Sequence, residues 1–515
     1  MAIVIPSAVR AISPDLSPDR TADRSSVPGG TGPAPVPPGP WPTLGNSTWP
    51  NEGGTVDDPP NILLILLDTL RADAAWESLG RSDRTLTARR CIASAPWTLP
   101  SCTAMLNATS SAHLGNYWRN PPSPRNPLLD ALPRRYRKIG VVNNSALSKG
   151  SGAELGFDRW TFIGDHDAPF ERALRVIDKA GRRRPCFLLL HSNIAHDHGF
   201  AVSSRYLPPG APRGLGERII TWRDTTPEDR TDAVTRYQAC VAALVEKVRA
   251  VLDAVRQRDD FVTAVTADHG EGFDYELGRL HHGGRVHQDL LQVPLLFDLP
   301  STIATGRRQA LGDALESQTV STTDILPTLF GLAGLDDLPD VDGSPIDRVG
   351  ARTLVSEDKR YLYLRDRFRI NYRGKHGRMT AEELQRNADL LSLLDGGPTL
   401  RSFIRGSDKL IVTSFRVAST TDGGVDRSAL LGLGRQLLGT PSLHIVEDQL
   451  FAFERFDLDA DPLEQRNLLA ETPEWTRELL GGPWRTEASM PGPGGTPMDL
   501  ASIFATGETI PDVEV

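Results

Sequence analysis

Cysteine is scarce. The four residues Cys91, Cys102, Cys186 and Cys240 in a chain of 515 are too few and too scattered for a disulfide framework, and no pair has the short spacing of a zinc knuckle. A reducing compartment, the cytoplasm, is therefore expected. Long apolar runs are missing as well: the longest, Ile62 to Leu67, falls far short of the ~20 residues that span a bilayer, so no membrane insertion is expected. The amino terminus, MAIVIPSAVRAISPDLSPDR, interrupts a short apolar start with Pro, Asp and Arg, where a secretion signal needs an unbroken apolar stretch. Positive charge is not in excess either. A formal net charge of -9 argues against the basic face of a nucleic-acid binder.

What is present is globular in composition, with 39% hydrophobic and 24% charged residues, and the length suggests two or three units of roughly 100 to 200 residues each. Residues 1–58 are rich in Pro, Gly, Ser and Thr without a hydrophobic period, so they read as a disordered leader that cannot offset its ordering entropy. From Pro59 short apolar runs alternate with helical stretches, the pattern of an α/β core whose mostly parallel sheet is covered by helices on both faces. The predicted strands are NILLILL (61–67), KIGVVN (138–143), PCFLLLH (185–191), FVTAVTA (261–267) and VPLLFDL (293–299). Helices are predicted over 232–256 and 323–335, the second with a proline in its first turns. Beyond this core, 59–350, a smaller α+β subdomain is expected over 351–485, with short strands at RYLYLRD, KLIVTS and QLFAFERFD, followed by a loose tail, 486–515.

The chemistry collects at strand ends. Asp68 closes the first strand (LLDTLRAD) and Asp268 and His269 close the fourth (TADHG), which is where open α/β sheets place their ligand sites. Two carboxylates and an imidazole suit a divalent ion, Zn, Mn or Mg, and carboxylates alone suit Ca; a turn-capping Asp and a salt-bridged pair are the plainer alternatives. Thr98, two residues before Pro100, falls at or just before a helix amino terminus that could receive an oxyanion. An ordinary N-cap threonine is the alternative there.

Together these segments resemble the sulfatase family of the alkaline phosphatase superfamily. NILLILLDTLRAD is similar to its first metal motif, TLPSCTAMLNATSSAHLG to its nucleophile segment, TADHGEGF to its second metal motif, and HHGGRVHQDLLQVPLLF to the segment before its Val-Pro-Leu strand. Weaker echoes are GAELGFDRW, STTDILPTLFGLAGL and FDLDADPLEQRNL, and the order agrees from about Pro59 to Leu469. The resemblance implies an alkaline-phosphatase-like fold, an ion held by Asp68, Thr98, Asp268 and His269, and His282 or His196 at the leaving group. His196 matches the His of an Asp-Pro-His turn, but Ile194 stands where the acid belongs, which weakens the case for a second ion unless Asp197 or His198 substitutes. His198 and His281 read as loop histidines more often solvated than catalytic, and Asn144 as a turn residue near the pocket.

One departure bears on the reaction. Sulfatases carry a Cys, oxidised to formylglycine, in a Cys-x-Pro-Ser/Ala motif that commonly ends in Arg; here the stretch is Thr98, Leu99, Pro100, Ser101, Cys102. Cys102 takes the place of the Arg and is expected to be neither nucleophile nor ligand. A sulfated threonine lacks the second hydroxyl by which an aldehyde hydrate expels sulfate, so a phospho- or phosphonoester is the expected substrate, cleaved through a covalent threonyl intermediate. The expected partner is a small-molecule, glycan or lipid ester, and a homo-oligomer is left open. Two rival readings are a transferase to an acceptor alcohol and a non-catalytic descendant that binds metal or anions.

Deleting residues 1–55 is expected to leave fold and turnover intact, since the leader has no apolar pattern with which to dock. A large drop in melting temperature of the truncated chain would show that it packs on the core.

Overall fold

The computed structural model describes residues 59–359 apart from 75, 81, 116–124, 182–183, 208–225 and 275–278, together with 399–416, 443–446, 449–468, 490–491 and 497–498. The predicted leader, the RYLYLRD strand and nearly all of the tail lie outside the described residues. Every element below belongs to one compact unit, residues 52–490 with 498–515.

In chain order the elements that build the site are β1 (Asn61–Leu67), β2 (Thr85–Thr87), β3 (Arg90–Ile92), α1 (Thr98–Asn107), β4 (Arg137–Val142), β5 (Arg159–Phe162), α2 (Ala168–Asp178), β6 (Cys186–Ser192), α3 (Pro227–Arg258) and β7 (Phe261–Thr266). There follow β8 (Gln292–Val293), β9 (Leu295–Asp298), α4 (Thr305–Ser317), β10 (Thr319–Ser321), α5 (Ile325–Leu332), β11 (Leu354–Asp358), β12 (Thr399–Arg405), β13 (Asp408–Arg416), β14 (Leu443–Val446) and β15 (Gln449–Asp457).

A seven-stranded sheet in the order β2-β9-β7-β1-β6-β4-β5 forms the centre. β9 alone runs against its neighbours; the other pairs from β7 to β5 are parallel. All residues of β1, β6 and β7 are buried, so both faces of the sheet are covered, as unbroken runs such as NILLILL require. Among the described residues no helix is long and apolar enough to cross a membrane. The four cysteines are free and buried.

The structure corrects the segment VPLLFDL. Pro294 divides it into β8, which pairs with β3 in a small β8-β3-β10 sheet, and β9, which joins the large one. Proline has no N–H to give to a ladder, and its carbonyl instead accepts from Thr266 Oγ1 at 2.7 Å. The long helix begins at Pro227, earlier than predicted, because Thr226 and Asp229 cap it reciprocally, each side chain accepting from the other's backbone N–H.

After the core comes an antiparallel sheet, β11-β12-β13-β15-β14. It is fastened to the core by β11, where Ser356 Oγ donates to Ala93 O and Glu357 N to Ser94 O, and by Gln288, whose N–H donates to Glu464 Oε2 at 2.7 Å and whose Oε1 accepts from Lys409 Nζ at 3.2 Å.

In β4, Gly140 faces Trp160 of β5, and a Cβ there would lie 2.2 Å from the indole ring. That ring is fixed by its N–H to Leu147 O at 2.8 Å and by Phe157 edge-on at 4.8 Å. Gly140→Ala is expected to cost about 1 to 3 kcal/mol through overpacking, read as a lower midpoint of denaturant unfolding; an unchanged midpoint would mean that the indole gives way freely.

Candidate active site

The carboxyl ends of β1 and β7 lie side by side, because the two strands are parallel neighbours in register. Asp68 and Asp268 follow them at 0% exposure. Thr69 makes the turn after Asp68 with a φ of 60°, a costly conformation for a β-branched residue. This turn aims the Thr69 N–H at Asp268 Oδ1, 3.2 Å away, while Tyr237 donates to Thr69 O at 2.9 Å and holds the turn in place.

Thr98 is the first residue of α1, with Trp97 at the cap position making no side-chain cap, so its hydroxyl is not the N-cap acceptor that the plainer reading offered. Thr98 Oγ1 stands 3.4 Å from Asp68 Oδ2 and 3.3 Å from His269 Nε2. Asn144 acts twice: its carbonyl caps Ala146 N at 2.8 Å, and its amide donates to Asp68 Oδ2 at 2.7 Å and approaches Thr98 Oγ1 at 3.5 Å. It is therefore a turn residue and a pocket residue together.

The protonation of His269 follows from its partners. Nδ1 contacts Gly270 O at 2.8 Å, and a carbonyl can only accept, so Nδ1 carries the hydrogen and the neutral ring turns its Nε2 lone pair the other way. That lone pair faces Asp68 Oδ1 and Asp268 Oδ2, each 3.6 Å distant. Asp68 Oδ1 is buried and accepts no hydrogen bond. An imidazole lone pair and two carboxylates, with donor atoms all within 4.8 Å of one another, fit a divalent cation and are poorly satisfied otherwise. Burial and the neighbouring Asp68 push the Asp268 carboxyl up. Burial also works against the Asp68 anion, but the charge of nearby His196 holds its carboxyl well below the usual range.

A histidine layer lies beside these residues. His282 stacks obliquely on His269 and on His196, with centroids 4.7 and 5.1 Å apart. Burial pushes His282 down to about 4, although Glu271 Oε2 lies 3.1 Å from its Nδ1. His196 differs: burial opposes its charge, yet Asp68 and Asp197 raise it to about 9, with Asp197 Oδ1 2.8 Å from Nδ1. Asp197 also receives His166 Nε2 at 2.8 Å and Asn193 Nδ2 at 2.7 Å. His198, expected to be solvated, is instead buried, its Nδ1 bonded to Ala195 O and its ring edge-on to Tyr237 and Phe273. His281 sits at a φ of 57° and burial pushes its ring down to about 3. Ile194 is fully buried in the core, and Asp197 is turned toward His196 and His166.

The structure thus gathers Asp68, Thr98, Asp268 and His269 at one point, with His196 and His282 next to it. Sequence reading missed His191, whose Nε2 is 3.4 Å from Asp68 Oδ2, Glu271, and Asp358, which accepts from Trp97 Nε1 at 3.2 Å and from Gly284 N at 2.5 Å. The available signal for His191 was a polar residue closing an otherwise apolar strand. For Asp358 there was none, because its partners are far away in sequence.

Residues 60–335 match the family described as Sulfatase. Among solved structures the chain is similar to BT1596, a 2-O GAG sulfatase, with 14% identity over 82% of this chain and 90% of that one and a TM-score of 0.52. It is also similar to BT4656, solved with D-glucosamine-2-N,6-O-disulfate, with 13% identity over 82% and 96% of the two chains and a TM-score of 0.51. For the yidJ protein of Bacteroides fragilis the values are 15% identity, 85% and 97% coverage and 0.53. No curated protein matches the chain. At these identities the neighbours establish the fold, and the family match spans more than half of the sequence; the chain belongs to the sulfatase family and is a hydrolase of ester bonds.

Proposed function

We propose that the chain cleaves phospho- or phosphonoesters by in-line attack of Thr98 Oγ1, through a covalent threonyl intermediate. The observation that carries this reading is the placement of that hydroxyl, at the first turn of α1, 3.4 Å from Asp68 and 3.3 Å from His269. Asp68, Thr98, Asp268 and His269 would hold one divalent ion, Ca, Mg, Mn or Zn. Such an ion, when bound, lowers the pKa of the hydroxyl and polarises an ester oxygen.

The residues of the chain supply the rest. Thr98 gives up its hydroxyl proton to solvent, Oγ1 then forms the bond to phosphorus as the bond to the leaving oxygen breaks, and the first-turn amides of α1, with the helix dipole, stabilise the oxygens that gain charge. His196, whose Nδ1 lies 2.8 Å from Asp197 Oδ1, gives a proton to the leaving oxygen. The neutral ring then takes a proton from the water that attacks the threonyl adduct. His282, held down to about 4, is suited to hydrogen-bonding rather than to donating a proton as an acid. Threonine in place of the cysteine of sulfatases favours phosphorus over sulfur, since no aldehyde hydrate is available to expel sulfate. One neighbour described as a GAG sulfatase and one solved with a disulfated glucosamine support an ester carried on a sugar.

The test is a panel of aryl sulfate, phosphate monoester, phosphate diester and phosphonate substrates with several divalent metals. Turnover is expected at a phosphorus centre and to stop on chelation. Thr98→Ala should lower it by several orders of magnitude, whereas Thr98→Ser should keep part of it, because only the hydroxyl takes part. Intact mass should show Cys91 and Cys102 unconverted. Sulfate turnover alone, or full activity in Thr98→Ala, would overturn the reading.

Asp268→Ala should lose the ion, having too few donors left; unchanged metal content would remove Asp268 from the site. In the metal-free chain, Asp197→Asn should move the His196 titration measured by NMR to lower pH, because a neutral amide no longer favours the charged ring. A midpoint that stays in place would detach Asp197 from His196.

A further inference from the structure

Behind Thr98 a second set of donors shares Asp268. Cys102, one helical turn beyond Thr98 on α1, places Sγ 3.7 Å from Asp268 Oδ2. With a ring nitrogen of His191, at the end of β6, these atoms all lie within 4.8 Å of one another, and all three residues are buried. The thiol is held there by the fold: Ser101 Oγ donates to Asp268 O at 2.6 Å and locks α1 to the end of β7.

His191 is the independent sign of a ligand. Its side chain has 0% exposure, and neither ring nitrogen makes a hydrogen bond, although Nε2 is 3.4 Å from Asp68 Oδ2. A buried imidazole with both nitrogens unused is unfavourable, and coordination satisfies one of them. Thiolate, imidazole and carboxylate together select Zn2+ over the oxygen-seeking Ca2+ and Mg2+.

We propose that Cys102 and His191 are metal donors with Asp268, so that the centre takes a thiophilic divalent ion, Zn2+, bound directly through the Cys102 sulfur. This rests on the metal-dependent reading above and reverses the expectation that Cys102 is inert. On binding, the Sγ–H bond breaks, its proton goes to solvent, and sulfur gives a lone pair to the ion. The chain thereby fills the place of the sulfatase Arg with a group that binds the cation.

The test uses the full chain loaded with Co2+, whose bond to a thiolate gives a near-ultraviolet charge-transfer absorption. The band is expected in the wild type and in Thr98→Ala, and absent in Cys102→Ser and Cys102→Ala. Zn2+ affinity, measured by competition with a chromophoric chelator, should fall by on the order of 100-fold in Cys102→Ala and at least about 10-fold in His191→Gln, with Ca2+ competing poorly in the wild type. Thermal unfolding of the metal-free variants checks that they fold. Cobalt bound without the band, or a band that survives in Cys102→Ser, overturns this inference and leaves the Asp68, Asp268 and His269 centre standing; no binding of either metal overturns both.

Discussion

Two carboxylates buried beside one another, Asp68 and Asp268, are the constraint around which this molecule is built. Parallel pairing of β1 with β7 brings them together, and like charges in a dry environment repel and lack solvation. Their surroundings answer that repulsion with donors. Thr69 adopts a left-handed turn to offer its N–H to one of them, and Asn144 offers its amide to the other. The lone pair of His269 adds to the excess of acceptors, which is why a cation is the natural occupant.

Around this point the imidazoles are graded. His196, paired with Asp197 and near Asp68, holds its proton to about 9, whereas His282, only 5.1 Å away in ring position, gives it up near 4. The difference arises from the acids that each ring meets and from mutual repulsion of neighbouring histidines, since burial lowers both. Adjacent rings of the same residue type therefore differ in their hold on a proton.

Much of the arrangement was legible in the sequence because it follows from local rules. An acid closing an apolar run lies at a strand end, which gave Asp68 and Asp268, and a proline two residues on gave Thr98 at the start of α1. The remaining features depend on which strands are neighbours. His191 meets Asp68 because β6 lies next to β1, and nothing in the local pattern PCFLLLHS says so. The division at Pro294 was hidden for a related reason: VPLLFDL has the composition of one strand, and only the missing N–H marks the change of sheet. The burial of His198 was equally unreadable, since the aromatic rings that enclose it come from α3 and from the segment after β7.

Asp358 holds the indole of Trp97, the residue before the threonine, and the backbone of Gly284, two residues after His282. It lies on β11, after residue 335, the last of the residues matched to the family. A different carboxyl-terminal sheet without an acid at this one position would take away, at a single stroke, an acceptor shared by the residue before the hydroxyl and by the histidine loop.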